Sequence, residues 1–314
     1  MPDGCPFTPA LESEAMFERH GRVIPILALA AAGCFWGTGF FFGKIALTEM
    51  PVANMILFRL AFACIGLLPI LFWDRPHFDG SEWVWVLAAS VLGVPVLFLV
   101  QFEGLSLTTV SHASLMVGTL PMLLAVAATV FSRERLHVGG WLALVASTVG
   151  AGLIALSGNR ASGTAHATVQ GDLLVVLSML AAIAWILISK RLMRQHSALT
   201  VTAFVYWIGT ILLAVVVLAT FGIPSLHYSS RAWIALVEQG FFATSAATIL
   251  WNWGLKQVPA SHAGIFVNLE PLVGAILGVS LLHEVLGKMA IAGGALIIGG
   301  AVYFSYKPES GESG

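Results

Sequence analysis

The chain has 314 residues, of which 58% are hydrophobic and only 10% charged, with a formal net charge of −1. A soluble domain carries about 25% charged residues, so this chain has more apolar surface than a core can hide, and lipid is its expected solvent. The near-neutral charge, with no basic stripe, argues against nucleic acid. Cys5, Cys34 and Cys64 have neither disulfide-framework nor metal-ligand spacing.

Residues 1–22 are polar and acidic (Glu12, Glu14, Glu18), unlike the n-region of a secretory signal. The apolar run that follows, 23–47, exceeds a signal's h-region of roughly 7–15 residues. Ala32-Gly33-Cys34 matches a lipoprotein cleavage site only faintly, and cutting there would halve a spanning segment. Apolar runs of about 20 residues then follow at 52–73, 83–101, 107–131 and 138–156, and again at 173–188, 199–221, 233–253, 260–282 and 286–306. Strict alternation of polar and apolar residues is missing, so these runs predict helices rather than barrel strands. The predicted organisation is a cytoplasmic tail (1–22), a five-helix half (23–156), an extracytoplasmic linker (157–171), a second five-helix half (172–306) and a cytoplasmic tail (307–314).

Basic residues orient the spans. With the N-terminus in the cytoplasm, the inner segments hold Arg19, Arg22, Arg75, Arg133, Arg135, Lys190, Arg191, Arg194, Lys256 and Lys307. The outer ones hold only Arg160, Arg231 and Lys288. Cytoplasmic enrichment of Lys and Arg predicts both termini inside.

A shift of 150 residues aligns Gly104-Leu105 with Gly254-Leu255 and Ser111-His112-Ala113 with Ser261-His262-Ala263. In the same register Pro121 meets Pro271, Glu134 meets Glu284 and Gly150 meets Gly300. Apolar helices match by chance, but polar residues and prolines in one register do not. Five spans per half force the second half to enter from the opposite side, and inverted repeats place a site near the midplane where the halves meet.

Phe35-Trp36-Gly37-Thr38 with Lys44 in the first span, and Phe58-Arg59 in the second, resemble the opening of EamA-type proteins of the drug/metabolite transporter superfamily. Glu270-Pro271, the Glu134 and Glu284 that follow spans four and nine, and Gly293-Gly294 with Gly299-Gly300 extend that resemblance over roughly 24–156 and 172–305. It implies an all-α polytopic membrane protein with ten transmembrane helices, a 5+5 inverted repeat around a central cavity, and often export of amino acids or related metabolites.

Several residues are candidates for that cavity. An arginine at mid-span costs about 2.5–3.5 kcal/mol on insertion scales and needs protein partners; Arg59 is read as a structural clamp or as a substrate contact. Glu270 is equally deep, and Pro271 removes a helical hydrogen bond and displaces the Val267 carbonyl, leaving an acceptor-rich patch with Asn268. Glu270 is read either as a site or proton-coupling acid, or as a structural partner of Arg59; its mate in the first half is Leu120. His112 and His262, repeat mates near opposite mouths, fit gates or interhelical hydrogen bonds. Trp36, Phe40 and Trp185 suit the wall of a cavity or plain packing, whereas Trp73, Trp83, Trp85, Trp141, Trp233 and Trp253 lie near span ends as interface anchors. Pro121 and Pro271 are candidate hinges. Gly37, Gly39 and Gly43 permit close helix approach in lipid.

No Walker-type loop is present, which argues against ATP drive. His283-Glu284 opens like a zinc-protease motif, but Gly287 stands where its second histidine belongs. The expectation is a secondary transporter in the bacterial inner membrane, not an enzyme, moving a small, amino-acid-like molecule outward by alternating access without metal or cofactor. The competing classes are an intramembrane enzyme acting on lipid or peptide and a passive channel; no filter-like loop supports the latter. Nothing in the sequence fixes an oligomeric state.

Overall fold

In lipid every backbone N–H and C=O must be satisfied internally, so apolar runs of this length become helices. A computed structural model describes residues 9–73, 78–107, 117–132, 136–157, 168–282 and 288–306, and among these no strand occurs. In chain order the first half holds α1 (Pro9–Leu47), α2 (Val52–Trp73), α3 (Gly80–Val91), a π turn (Leu92–Val96), α4 (Leu97–Leu107), α5 (Leu120–Phe131) and α6 (Val138–Ser157). The second half holds α7 (Val169–Leu192), α8 (Ala198–Phe221), α9 (Ser230–Gly240), a π turn (Phe241–Ala246), α10 (Ala247–Gln257), α11 (Ala260–Ala263), a 3-10 turn (Gly264–Asn268), α12 (Leu269–Leu282) and α13 (Lys288–Tyr306).

Six spans among the described residues are long and apolar enough to cross a bilayer: Val23–Leu47, Val52–Phe72, Gly80–Leu107, Val169–Leu192, Ala198–Phe221 and Ser230–Gln257. Shorter apolar helices accompany them at Leu120–Phe131, Val138–Leu153 and Ile291–Tyr303. Phe72, Phe131 and Leu142 stand on outer faces more than half exposed, as lipid-facing residues do. The sixth span outgrows its predicted 173–188. Its polar ends remain helical because Thr168 Oγ1 accepts from the Gly171 N–H at 3.1 Å and Lys190 Nζ donates to the Val258 carbonyl at 3.0 Å.

Spans three and eight each carry a π turn at mid-length, and the two turns fall at equivalent places under the shift of 150 residues. Pro95, lacking an N–H, sits within the first. In the second, Thr244 Oγ1 donates to the Gln239 carbonyl at 2.7 Å, satisfying an acceptor that the wide turn loosens.

Span nine is not one continuous helix, as the apolar run 260–282 suggested. The 3-10 turn interrupts it, and α12 begins afresh at Leu269. Pro271 therefore stands in the first turn of α12, and Pro121 is the second residue of α5, whose N-cap is Thr119. A first turn has no intrahelical use for those N–H groups, so neither proline breaks a helix interior.

Packing exposes the repeat more fully than the sequence did. The Gly254 α-carbon leaves room only for Leu29 and the Pro25 carbonyl; Gly104 does the same for Val175 and the Gly171 carbonyl. Equivalent contacts thus relate spans three and eight by 150 residues, but spans one and six by 146 (29 to 175, 25 to 171). Span two follows the smaller offset. Phe58 corresponds to Phe204, and Cys64 meets its own mate, Thr210, at 3.2 Å, as residues on a two-fold axis must. In the outer pair of helices, a Cβ on Gly150 would lie 2.5 Å from the Gly293 carbonyl, so small residues set how closely α6 and α13 approach.

Candidate functional site: a cavity on the pseudo-two-fold axis

A cavity of about 90 Å³ lies where the two halves meet. Its wall contains pairs of repeat mates: Gln101 with Trp251, Val117 with Val267 and Leu120 with Glu270 at the larger offset, Trp36 with Ala182 and Gly39 with Trp185 at the smaller. A wall made of mates places the cavity on the pseudo-two-fold, the position expected of a site between inverted halves.

The chemistry on the two sides of that axis differs. Arg59, on α2, is buried. Its Nε donates to Thr244 Oγ1 at 2.8 Å, Nη1 to Gln239 Oε1 at 3.0 Å and Nη2 to the Ala243 carbonyl at 3.4 Å. All three acceptors are neutral, and two belong to the π turn of span eight. The guanidinium also faces the Phe98 ring at 4.9 Å and the Phe102 ring at 5.8 Å. Gly39 lies beside it: a Cβ there would stand 3.0 Å from the Ala243 side chain and 3.9 Å from Nη2, so the glycine spares α1 a tight contact with the π turn. The mates are apolar: Val205 for Arg59, Val94 for Thr244, Ala89 for Gln239 and Leu120 for Glu270. On that opposite side Trp185 occupies the place of Gly39 and lies against Gly93, where any side chain would collide with the indole.

Arg59 and Glu270 line the same cavity but form no ion pair among the described residues. The three bonds hold the guanidinium in one plane and leave further N–H donors on Nη1 and Nη2. Trp185 and Trp251 also line the cavity, and their buried indole N–H groups have no partner among the described residues. Leaving a buried donor unpaired costs about 1–3 kcal/mol, so these two N–H groups on the wall are open to a partner entering the cavity. Trp251 packs on Trp36 with ring centroids 5.1 Å apart.

Of the residues singled out in the sequence, Trp36, Arg59, Trp185 and Glu270 line the cavity. Asn268 does not: its Nδ2 donates to Ser147 Oγ on α6 at 2.9 Å, so it ties spans five and nine together. His262 is buried in α11, away from the cavity wall. Phe40 belongs to α1, but its side chain is outside the described set, as is all of His112. Gln239, Thr244, Tyr206, Phe98 and Trp251 were not anticipated. Glu238-Gln239 in the middle of an apolar run was the available signal, because intramembrane polar residues face protein or cavity.

An all-helical, polytopic chain with an inverted repeat and a mixed polar and apolar cavity on its axis has the construction of a membrane transporter. The model of the EamA-like transporter family matches residues 23–156 and again 169–306, and the chain belongs to that family. It is similar to an uncharacterized transporter of Archaeoglobus fulgidus, 26% identical over 278 residues, covering 87% of this chain and 94% of that protein. It is also similar to the uncharacterized transporter YetK of Bacillus subtilis, 27% identical over 281 residues, with 87% and 84% coverage. A biotin transporter of Escherichia coli is 25% identical over 266 residues, covering 84% and 87%. A crystal structure superimposes with a TM-score of 0.73 at 20% identity over 91% of this chain and 99% of that one, a likeness of fold. The protein is a multi-pass membrane protein and a transporter of small substrates.

Proposed function

We propose that the protein is a secondary transporter that moves a small, amino-acid-like carboxylate by alternating access, outward across the bacterial inner membrane, with both termini in the cytoplasm. The observation that carries this reading is Arg59, a buried guanidinium on the cavity wall held by neutral acceptors, with donors left over and no carboxylate paired to it among the described residues. Arg is suited to bidentate capture of a planar anion. The unpaired indole N–H groups of Trp185 and Trp251 add donors, and Glu270 offers an acceptor for an ammonium group. Trp36, Phe98 and Leu120 supply an apolar wall for the rest of the molecule.

Alternating access is supported by size. Small-molecule pockets span about 300–1,000 Å³, well above the present cavity, so helices must part for a substrate to enter. The outward direction is taken from the resemblance to EamA-type exporters, and the cytoplasmic termini from the basic residues. The relative named for biotin, itself a carboxylate on an apolar body, favours a second substrate with the same anchor.

The test is purified protein in liposomes, given an isotope-labelled amino-acid mixture or labelled biotin. Saturable movement of either probe, lost in Arg59→Gln at equal folded protein, is the expected result, and the probe that moves decides between the two substrates. Covalent turnover of added lipid or peptide, with no solute movement, would overturn the reading in favour of an enzyme.

A further inference from the structure

A second carboxylate lies next to this site without lining it. Glu238, on α9 one residue before Gln239, is half-buried. Its Oε1 is 2.6 Å from Thr38 Oγ1 on α1, and its Oε2 is buried with no partner among the described residues. Thr38 Oγ1 is also 2.7 Å from the Phe35 carbonyl. A threonine hydroxyl has a single hydrogen to donate, and both of its short contacts are to oxygens.

If Glu238 were ionised, one of those contacts would set two oxygens against each other without a hydrogen between them. Its second oxygen would also carry charge with nothing to bind it. Buried charges are otherwise paired or hydrogen-bonded. Arg59, the cation that α2 brings to this region, bonds to Gln239, Thr244 and Ala243 and not to Glu238. A hydrogen on Glu238 removes both conflicts: the carboxyl O–H donates to Thr38, and Thr38 donates to Phe35.

From this hydrogen count we infer that Glu238 is a proton-binding site of the transporter, loaded in the state seen here. The same count makes Thr38 the acceptor that holds the proton. The groups around it are Thr38 on α1, Arg59 on α2 and Gln239 beside it on α9, with Glu270 on α12 across Arg59. Lys44 lies further along α1, with its side chain outside the described set. Glu238 is attached to the substrate site by one covalent step, through Gln239, which grips Arg59. When α1 parts from α9 the acceptor is lost, the carboxyl gives its proton to water as H₃O⁺, and the resulting carboxylate adds negative charge beside the guanidinium. Proton release and the hold of Arg59 on an anion are thereby linked. The linkage rests on the transport reading above; the protonation of Glu238 does not.

Infrared spectra of the full-length protein in liposomes at neutral pH test the proton directly. A carboxylic-acid C=O band is expected in the wild type, its Glu238 component lost in Glu238→Gln and displaced in Thr38→Val. It should survive in Glu270→Gln. Identical carboxylic-acid spectra for the wild type and Glu238→Gln overturn the assignment. Should Glu238→Gln not fold, an unmoved band in Thr38→Val does the same. Pyranine-loaded liposomes test the coupling: an added amino-acid mixture is expected to shift internal pH in the wild type, and to enter Glu238→Gln without that shift. A pH shift retained in Glu238→Gln overturns the coupling. If the mixture moves in neither protein, the transport reading has failed for that probe, while the infrared result still decides the proton.

Discussion

At Arg59 the structure replaces a simple alternative with a composite. The residue is clamped, as its mid-span position required, but by neutral groups on span eight rather than by Glu270. A clamp of that kind fixes the guanidinium and leaves its charge available. Lys at this position keeps the charge but cannot reach three acceptors in one plane. Arg59→Lys is expected to fold to near wild-type amounts while transport falls about tenfold or more, equivalent to about 1.4 kcal/mol. Transport at the wild-type rate would assign Arg59 to structure alone. Glu49, in the loop between α1 and α2, makes a different kind of contact. Its Oε1 accepts from Ser229 Oγ at 2.6 Å and its Oε2 from the Ser229 N–H at 2.9 Å, tying that loop to the N-cap of α9. Those hydrogen bonds, the side-chain one foremost, hold the Glu49 carboxyl below its ordinary range. A carboxyl depressed on folding adds stability that is full above its unfolded value and fades as pH falls through the folded one. Thermal unfolding of detergent-solubilised Glu49→Gln should therefore lose part of the acid-side slope of the wild type. Slopes that coincide would show that the clasp contributes nothing.

At the scale of the element, each interruption has an identifiable cause and use. The π turn of span eight loosens carbonyls at Gln239 and Ala243; Thr244 takes the first and Arg59 the second. The turn in span three, equivalent in place, contains Pro95 and packs Val94 on Gly209. Pro121 and Pro271 open helices rather than kink them, which changes what their substitution tests. Proline in a first turn is replaceable without strain, so Pro121→Ala and Pro271→Ala should leave the folded amount nearly unchanged. If the junctions before α5 and α12 flex during the cycle, removing the fixed φ should slow transport several-fold. Unaltered rates in both single variants and in the double variant would reduce the prolines to helix starters.

For the whole molecule, the apolar runs and the polar matches at 150 residues made the helical, duplicated architecture legible, because lipid leaves the backbone few choices. The change to 146 residues in the first two spans was not legible. At that offset the matches are scattered and nearly all apolar (Phe58 with Phe204, Leu67 with Leu213), with Lys44 and Lys190 the one charged pair, and the contacts of Gly104, Gly254 and Cys64 reveal the register. The site was half legible for the same reason: Arg59 and Glu270 are conspicuous in an apolar run, whereas aromatic cavity residues such as Trp251 and Phe98 look like any packing residue until the helices are assembled. The proposed orientation rests on the basic residues and is open to direct test. In a variant without Cys5, Cys34 and Cys64, an impermeant thiol reagent should label Ser225→Cys from outside intact cells and leave Gln195→Cys untouched. The reverse pattern would invert the topology.

The replacement of Arg59, Gln239, Thr244 and Glu270 by Val205, Ala89, Val94 and Leu120 across the axis has an energetic consequence. In a perfectly duplicated transporter the two facing states would be the same pair of half-conformations with labels exchanged, and their free energies would be degenerate. The Arg59–Gln239–Thr244 cluster and Glu270, without polar mates, lift that degeneracy, since closing one mouth or the other places them in different surroundings. A splitting of about 1.4 kcal/mol already populates one state tenfold over the other. Under the proposed alternating access, the resting orientation of the empty protein is thus set by the handful of positions where the two halves no longer match.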